Sequence, residues 1–259
     1  MSSQLPGLTD HMHPAKLLWA EHAPSVGYPP GVRPIPKPIR GTAFFPGGYG
    51  LWNPNPDSTL PRFPLGGTMI LGHDFHSEAG YKASFERGSE KETQPTWRNL
   101  LELLAAAGIA LRNCFFTNVF MGLREGIATT GRFPGAIDPD FVAHCSRFLV
   151  RQLQVQRPSL VLTLGIYAPD MLASASRSPE LAPWARGKGL RHLDQAGPVR
   201  VGVTFPEDLP GFHTVVVALT HPSMRHASVR YRRYRDLCGA PAELLMLRDA
   251  LAKLRREDT

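Results

Sequence analysis

The sequence predicts an α/β fold, a three-layer α/β/α sandwich around a four-stranded, mostly parallel sheet, and three observations carry this expectation. Four short apolar runs, at residues 67–71, 113–119, 159–165 and 214–220, are rich in β-branched and aromatic residues and bounded by turn residues, the pattern of strands buried on both faces. Stretches with apolar residues at helical spacing lie between them, and such alternation implies βαβ units with helices on both faces of the sheet. Each run also leads into a residue that suits a site: Asp74, Asn118, Gly165 and His221. Open sheets of this kind take their ligands at the carboxyl ends of the strands.

Residues 1–66 read as a proline-rich arm packed on the core. Residues 24–64 hold eleven of the 25 prolines, with Gly47-Gly48-Tyr49-Gly50 and Asn53-Pro54-Asn55-Pro56 among them, which excludes long helices and central strands. Arg33, Lys37 and Arg40 give this arm a basic edge that suits phosphates. Residues 67–259 form the α/β region of what reads as a single globular domain. Thr96 opens a helix with Trp97, Leu100, Leu101 and Leu104 on one face, ending near Gly108. Asp138 or Asp140 opens a second, with Val142, Cys145, Leu149 and Leu153 in a stripe that stops before Pro158. A third helix passes through Met171 and Leu172, and a last one runs from about Pro241 to Arg255.

The 259 residues, 42% hydrophobic and 20% charged, suit one domain with a sizeable core. The formal charge of +7 is compatible with a polyanionic partner. No apolar stretch of about 18 residues and no leader pattern is present, so a cytoplasmic protein without a membrane partner is expected, and a monomer. Three widely spaced cysteines, Cys114, Cys145 and Cys238, fit reduced thiols.

Two segments carry the chemistry: Gly72-His73-Asp74-Phe75-His76 and His221-Pro222-Ser223. Taken singly, Asp74 suits a helix N-cap, Asn118 a turn cap and His221 a strand terminator. His73 and His76 are spaced as half of a zinc site, but no third ligand is evident, and no metal is expected. An acid, an amide and an imidazole converging on one sheet edge form the pattern of a site.

The two segments resemble the signature motifs of the uracil-DNA glycosylase superfamily, a Gly-x-Asp-Pro-Tyr-His type segment and a His-Pro-Ser segment. Thr96-Trp97-Arg98-Asn99-Leu100-Leu101, Ala107-Gly108-Ile109, Phe116-Thr117-Asn118-Val119 and Arg157 to Gly165 are similar to the corresponding stretches of its iron–sulfur branch. The likeness covers about residues 67 to 235 in order. It implies a DNA glycosylase that flips a pyrimidine, uracil or a 5-modified one, out of DNA and hydrolyses its N-glycosidic bond. Asp74 would orient water and stabilise the cationic sugar, and His221 would donate a hydrogen bond to the departing base. Asn118 would hold the base edge, with His73 and Phe75 beside it and Phe85 or Tyr81 as the stacking aromatic, although both rings suit the core equally. Three cysteines are too few for that branch's four-cysteine cluster, so no cofactor is expected.

Where the family has Pro and Tyr between its Asp and His, this chain has only Phe75. Either Phe75 replaces the tyrosine that excludes 5-methyl groups, or the pocket wall moves. Excision of a hypermodified cytosine from viral DNA is therefore an alternative to removal of uracil. A catalytically silent nucleic-acid-binding module is the alternative from another class. Beyond His221, the likeness implies a wedge near Met224 or Arg225, and the five arginines and two tyrosines of residues 224–235 suit a phosphate-gripping surface, with Ser223, Met224, Arg225, Arg230 and Arg232 as DNA contacts; a solvated helix face is the alternative for Arg232, Arg233 and Arg235.

Overall fold

The computed structural model describes residues 12–22, 27–185, 189–205 and 209–257. It contains strands β1 (Val32–Arg33), β2 (Thr68–Gly72), β3 (Cys114–Asn118), β4 (Leu123–Arg124), β5 (Leu160–Leu164), β6 (Val199–Phe205), β7 (Leu209–Leu219), β8 (Arg233–Tyr234) and β9 (Leu237–Cys238). The helices are α1 (Pro14–His22), α2 (Glu78–Arg87), α3 (Pro95–Ala107), α4 (Pro139–Gln156), α5 (Ala168–Ser176), α6 (Leu190–Ala196), the single turn α7 (Arg225–Ser228) and α8 (Ala240–Glu257).

The central sheet has five strands rather than the four expected, in the order β3-β2-β5-β7-β6. The pairings β2–β3, β2–β5 and β5–β7 are parallel, and β6 runs antiparallel along β7. The extra strand, Val-Arg-Val-Gly-Val-Thr-Phe, is half-buried or exposed over residues 199–202 and buries only Val203 and Phe205. It lies on the sheet edge with register shifts between Arg200 and Val203 and between Thr204 and Phe205, so it lacks the unbroken apolar run of an interior strand.

Alternating residues of β2, β3, β5 and β7 feed two cores. Met69, Leu71, Phe115, Val161, Val216 and Ala218 meet Leu18, Cys145, Leu149, Leu153, Leu172 and Leu193 from α1, α4, α5 and α6. On the other face Ile70, Phe116, Leu162, Leu164, Val217 and Leu219 meet Trp97, Leu100, Leu104, Met246, Leu247 and Ala250 from α3 and α8. Each buried Leu, Ile, Val or Phe contributes about 1.5–3 kcal/mol, so this two-sided burial fixes the strand register and with it the level of the strand ends.

Local signals set the helix ends. Asp138 caps α4, its carboxylate accepting from the Phe141 amide at 2.8 Å, and Gly108 closes α3 in the left-handed conformation. The cap of α3 moves two residues upstream of the expected Thr96, to Gln94, because Pro95 suits the first turn, where its missing N–H costs nothing. Ahead of the sheet, α1 buries Ala15 and Leu18, and Ile35, Ile39, Phe45, Leu51 and Phe63 are also buried. β1 pairs with β4. Among the described residues, no helix is long and apolar enough to cross a membrane.

Candidate active site

The strand ends meet at one level. Gly72 pairs with Asn118, and Leu164 with Leu219. Beyond β2 the pairing continues, with Val119 N–H donating to the Gly72 carbonyl and Phe120 N–H to that of His73, each at 3.0 Å. The segment carrying Asp74 is thereby held against the exit of β3. Glycine is required at two of these ends. A Cβ on Gly72 would collide with Oδ1 of Asn118, and one on Gly165, whose φ is +85°, would come within 3.2 Å of the His221 Cβ.

Asp74 is shielded and fully oriented. Its Oδ1 accepts from His73 Nδ1 at 2.7 Å and from Arg124 Nη2 at 2.9 Å, while Oδ2 accepts from Arg124 Nε at 2.8 Å. Burial pushes its pKa up, but the hydrogen bonds and positive charge of His73 and Arg124 more than offset this and hold it below the usual aspartate range. It is an anion at neutral pH. His73 stacks on Tyr167 with ring centroids 4.5 Å apart and meets the edge of Phe120 at 5.2 Å. The other half of the histidine pair is spent elsewhere, since His76 Nδ1 accepts from the Ser77 amide.

His221 follows β7 and begins a short helical turn. Its Nδ1 accepts from the backbone N–H of Ser223 at 3.3 Å and lies 2.8 Å from the Ser223 hydroxyl. A backbone amide can only donate, so the neutral ring carries its proton on Nε2. Burial lowers the His221 pKa, against an opposing pull from Asp74. The side chain is thus a neutral Nε2–H donor. Its loop is anchored from two sides: Asn99 Nδ2 of α3 donates to the Pro222 carbonyl at 2.7 Å, and the Thr220 amide donates to Glu243 Oε1 of α8 at 2.6 Å.

Asn118 is buried, and its Nδ2 donates to the Phe45 carbonyl at 3.0 Å. That carbonyl accepts only, which fixes which way round the amide sits. The Phe44 ring lies close to Gly72 on the same side as Oδ1 of Asn118 and packs on Trp97 and Phe116.

Several candidates change place. Tyr81 is not a stacking base platform: it is buried beside Ile35, Ile39 and Leu123, and its hydroxyl donates to the Lys37 carbonyl at 2.8 Å. Phe85 is exposed on α2 with the Lys37 ammonium 4.3 Å from its ring centroid, committed to a cation–π contact rather than to the strand ends. Spacing along the sequence favours these two rings, whereas the ring beside Gly72 is Phe44, from the proline-rich stretch. Phe75 packs its ring on Gly47 and meets Tyr81 edge-on at 6.5 Å.

Arg232 is not available to phosphates. Its side chain is 0% exposed; it donates to Asp194 Oδ1 at 2.9 Å, to Glu243 Oε1 at 2.8 Å and to the Ala218 carbonyl at 2.8 Å. It braces β7 just ahead of His221. Arg225 likewise pairs with buried Glu243, which leaves Met224, 48% exposed, as the free side chain after the His-Pro-Ser segment. Ser223 orients His221, and Arg230 is exposed on the Tyr231 ring at 4.7 Å. Four residues of this region have no signal in the sequence: Arg124, Phe44, Tyr167 and Glu243 all act through folding rather than spacing.

The family model of the uracil DNA glycosylase superfamily matches residues 83–238. That stretch includes Asn118 and His221 and begins after Asp74, so the place of Asp74 in the site rests on the geometry. No curated protein matches the chain. The matched stretch spans more than half of the sequence and contains three of the four parallel strands, and the chain belongs to the uracil DNA glycosylase superfamily.

Proposed function

We propose that the protein is a DNA glycosylase that flips a pyrimidine, uracil or a 5-modified one, out of DNA and hydrolyses its N-glycosidic bond. One observation carries this reading: an ionised carboxylate, Asp74, and a neutral Nε2–H donor, His221, stand at the carboxyl ends of strands of one parallel sheet, with Asn118 level with them. Cleavage builds positive charge on the sugar and negative charge on the departing base. Two groups with opposite environments suit those two charges, each held before the reaction begins.

The steps can be built from the contacts. A carboxylate offers about four lone-pair sites, and His73 and Arg124 fill three of them. The fourth, on Oδ2, takes no hydrogen bond among the described residues, which suits a water aligned on C1′. His221 Nε2–H donates to the base carbonyl where charge collects. Asn118 holds one donor and one acceptor toward the base, its sense fixed by the Phe45 carbonyl. Phe44 is the aromatic best placed to stack on the flipped base. Extrusion costs a few kcal/mol and is easiest for damaged or mispaired bases. Met224, exposed just past the His-Pro-Ser segment, suits the gap left behind.

A second reading, a binding module without activity, is favoured by the Asp74–Arg124 pair, which neutralises the charge that would face a cationic sugar. Incubation with oligonucleotides bearing single modified bases, followed by alkaline cleavage of abasic sites, separates the two. Strand scission at a modified pyrimidine supports the glycosylase; binding without scission across the whole panel supports the silent module.

A further inference from the structure

Arg124 has no place in the sequence motifs, yet it is the most heavily engaged side chain at the site. It lies in β4, opposite Val32 of β1, and its backbone N–H donates to the His76 carbonyl at 3.0 Å. All five guanidinium donors are used. Two go to Asp74, and the others to the carbonyls of Gly131 at 2.8 Å and of Thr130 and Arg132 at 3.1 Å each. The guanidinium is buried and sits 5.4 Å from the Phe133 ring. A donor set so fully spent inside the protein has nothing left for a phosphate.

We propose that Arg124 is the positioning residue of the site, holding the Asp74 carboxylate in one orientation with a single Oδ2 lone pair left for water. The proposal rests on the glycosylase reading for what that water does, but the positioning stands independently of it. The planar fork fixes both carboxylate oxygens at once, which a lysine ammonium does not do. The three loop carbonyls anchor the fork in turn, so the exposed loop from Glu125 to Arg132, with Ile127 at 84% exposure, is tied to the same carboxylate. The other titratable groups facing Asp74 are His73, His76 and His221. His73 fills one Oδ1 position, and His76 and His221 feel the charge of Asp74 but make no hydrogen bond to it among the described residues. None of these three replaces the bidentate contact.

The test compares Arg124→Lys and Arg124→Gln with the unaltered protein in two ways. Single-turnover excision over a pH series should show a loss on the order of a hundredfold, the scale of a small misplacement of a reacting group. The acid limb should move to higher pH, while DNA affinity changes by less than about threefold. Carbon-13 titration of the Asp74 carboxyl, assigned with Asp74→Asn, reads the positioning with no DNA present. In the unaltered protein its midpoint should lie below the ordinary aspartate range, and in Arg124→Lys it should rise. An ordinary midpoint in the unaltered protein, an unchanged one in Arg124→Lys, or a loss confined to DNA affinity would overturn the proposal. If no substrate is cut, the glycosylase reading fails while the carboxyl titration still decides the role of Arg124. If the variants do not fold, the midpoint in His73→Gln decides it: held by Arg124 alone it should stay below the ordinary aspartate range, and an ordinary midpoint would overturn the proposal.

Discussion

The Ser223 hydroxyl lies 2.8 Å from Nδ1 of His221, on the nitrogen that already accepts from the Ser223 backbone amide. Two donors on one ring nitrogen leave the proton on the other, which is the tautomer needed for donation to a base. Replacing Ser223 by Ala removes one of the two. A single hydrogen bond of about 1 kcal/mol corresponds to roughly a fivefold loss in the excision rate, with DNA affinity little changed. An unaltered rate would mean that the backbone amide suffices to set the tautomer.

Asp74→Asn should reduce excision by orders of magnitude and leave DNA binding intact or improved. The amide cannot accept from Arg124 on both atoms, and it no longer carries the negative charge that the glycosylase reading sets against the sugar and near the phosphates. Rates and affinities measured on the same duplex decide this, with a melting curve to establish that the variant is folded. Full activity in the variant would remove Asp74 from the mechanism.

Arg230 and Arg232 should behave in opposite ways despite lying two residues apart. Arg230→Ala should weaken DNA binding and lower the salt slope by about one unit, the signature of one lost phosphate contact. Arg232→Ala should instead cost about 3–5 kcal/mol of stability, because it takes the guanidinium from two buried carboxylates, leaving Asp194 with the Arg233 amide and Glu243 with Arg225 and the Thr220 amide. Chemical denaturation and salt-dependent binding of both variants separate these effects. Equal losses of affinity without loss of stability would contradict the buried role of Arg232.

His22 gives the fold an acid-sensitive point. It is buried, neither ring nitrogen is bonded among the described residues, and burial together with the nearby His144 lowers its pKa to about 4. The unfolded chain takes up this proton near pH 6.5 and the folded one only near 4, so stability falls as the pH drops between those values. At pH 5 the penalty is about 2 kcal/mol, from 1.36 kcal/mol per pH unit. His22→Leu should flatten the stability profile in this window, measured by denaturant titration at pH 7 and 5. A profile with the same slope in both proteins would show that His22 is not the group responsible.

The strand ends are legible in the sequence because short runs buried on both faces leave an unmistakable apolar pattern, and the residue after each run must lie at the sheet edge. Asp74, Asn118 and His221 can therefore be placed together from the sequence alone. Edge strand β6 is not legible, since Val199–Phe205 is only half-buried and Gly202 interrupts it. Neither are the partners of the site residues. Nothing in the sequence marks Arg124 as the partner of an acid fifty residues earlier, and Arg232 sits among arginines that do face solvent. Their burial is decided by Asp74, Asp194 and Glu243 arriving from distant segments. Phe44 is hidden for the same reason: a proline-rich stretch suggests an outer strap, yet this one delivers a ring to Gly72.

On the glycosylase reading, substrate range rests on two side chains, Asn118 and Phe75. Asn118 is anchored through Nδ2 to the Phe45 carbonyl, and a flipped amide would set two oxygens against each other there. The amide therefore presents its donor and acceptor in one order, which suits a uracil-type or a cytosine-type edge but not both. Phe75 is the only residue between Asp74 and His76, and its ring is spent on Gly47 and Tyr81. A wall without a tyrosine dedicated to the 5-position excludes a substituent there only by the fit of its neighbours, and sterics of that kind discriminate by about 10- to 200-fold per methylene-sized group. We expect excision of at least one 5-modified pyrimidine and weaker activity on plain uracil than a closed gate would give. A panel of uracil, thymine mispairs, 5-hydroxymethylcytosine and glycosylated cytosine in matched duplexes measures both expectations. Products from uracil-type and cytosine-type bases at similar rates would show that the Asn118 amide is not locked, and strong cleavage of uracil alone would show that Phe75 closes the wall after all.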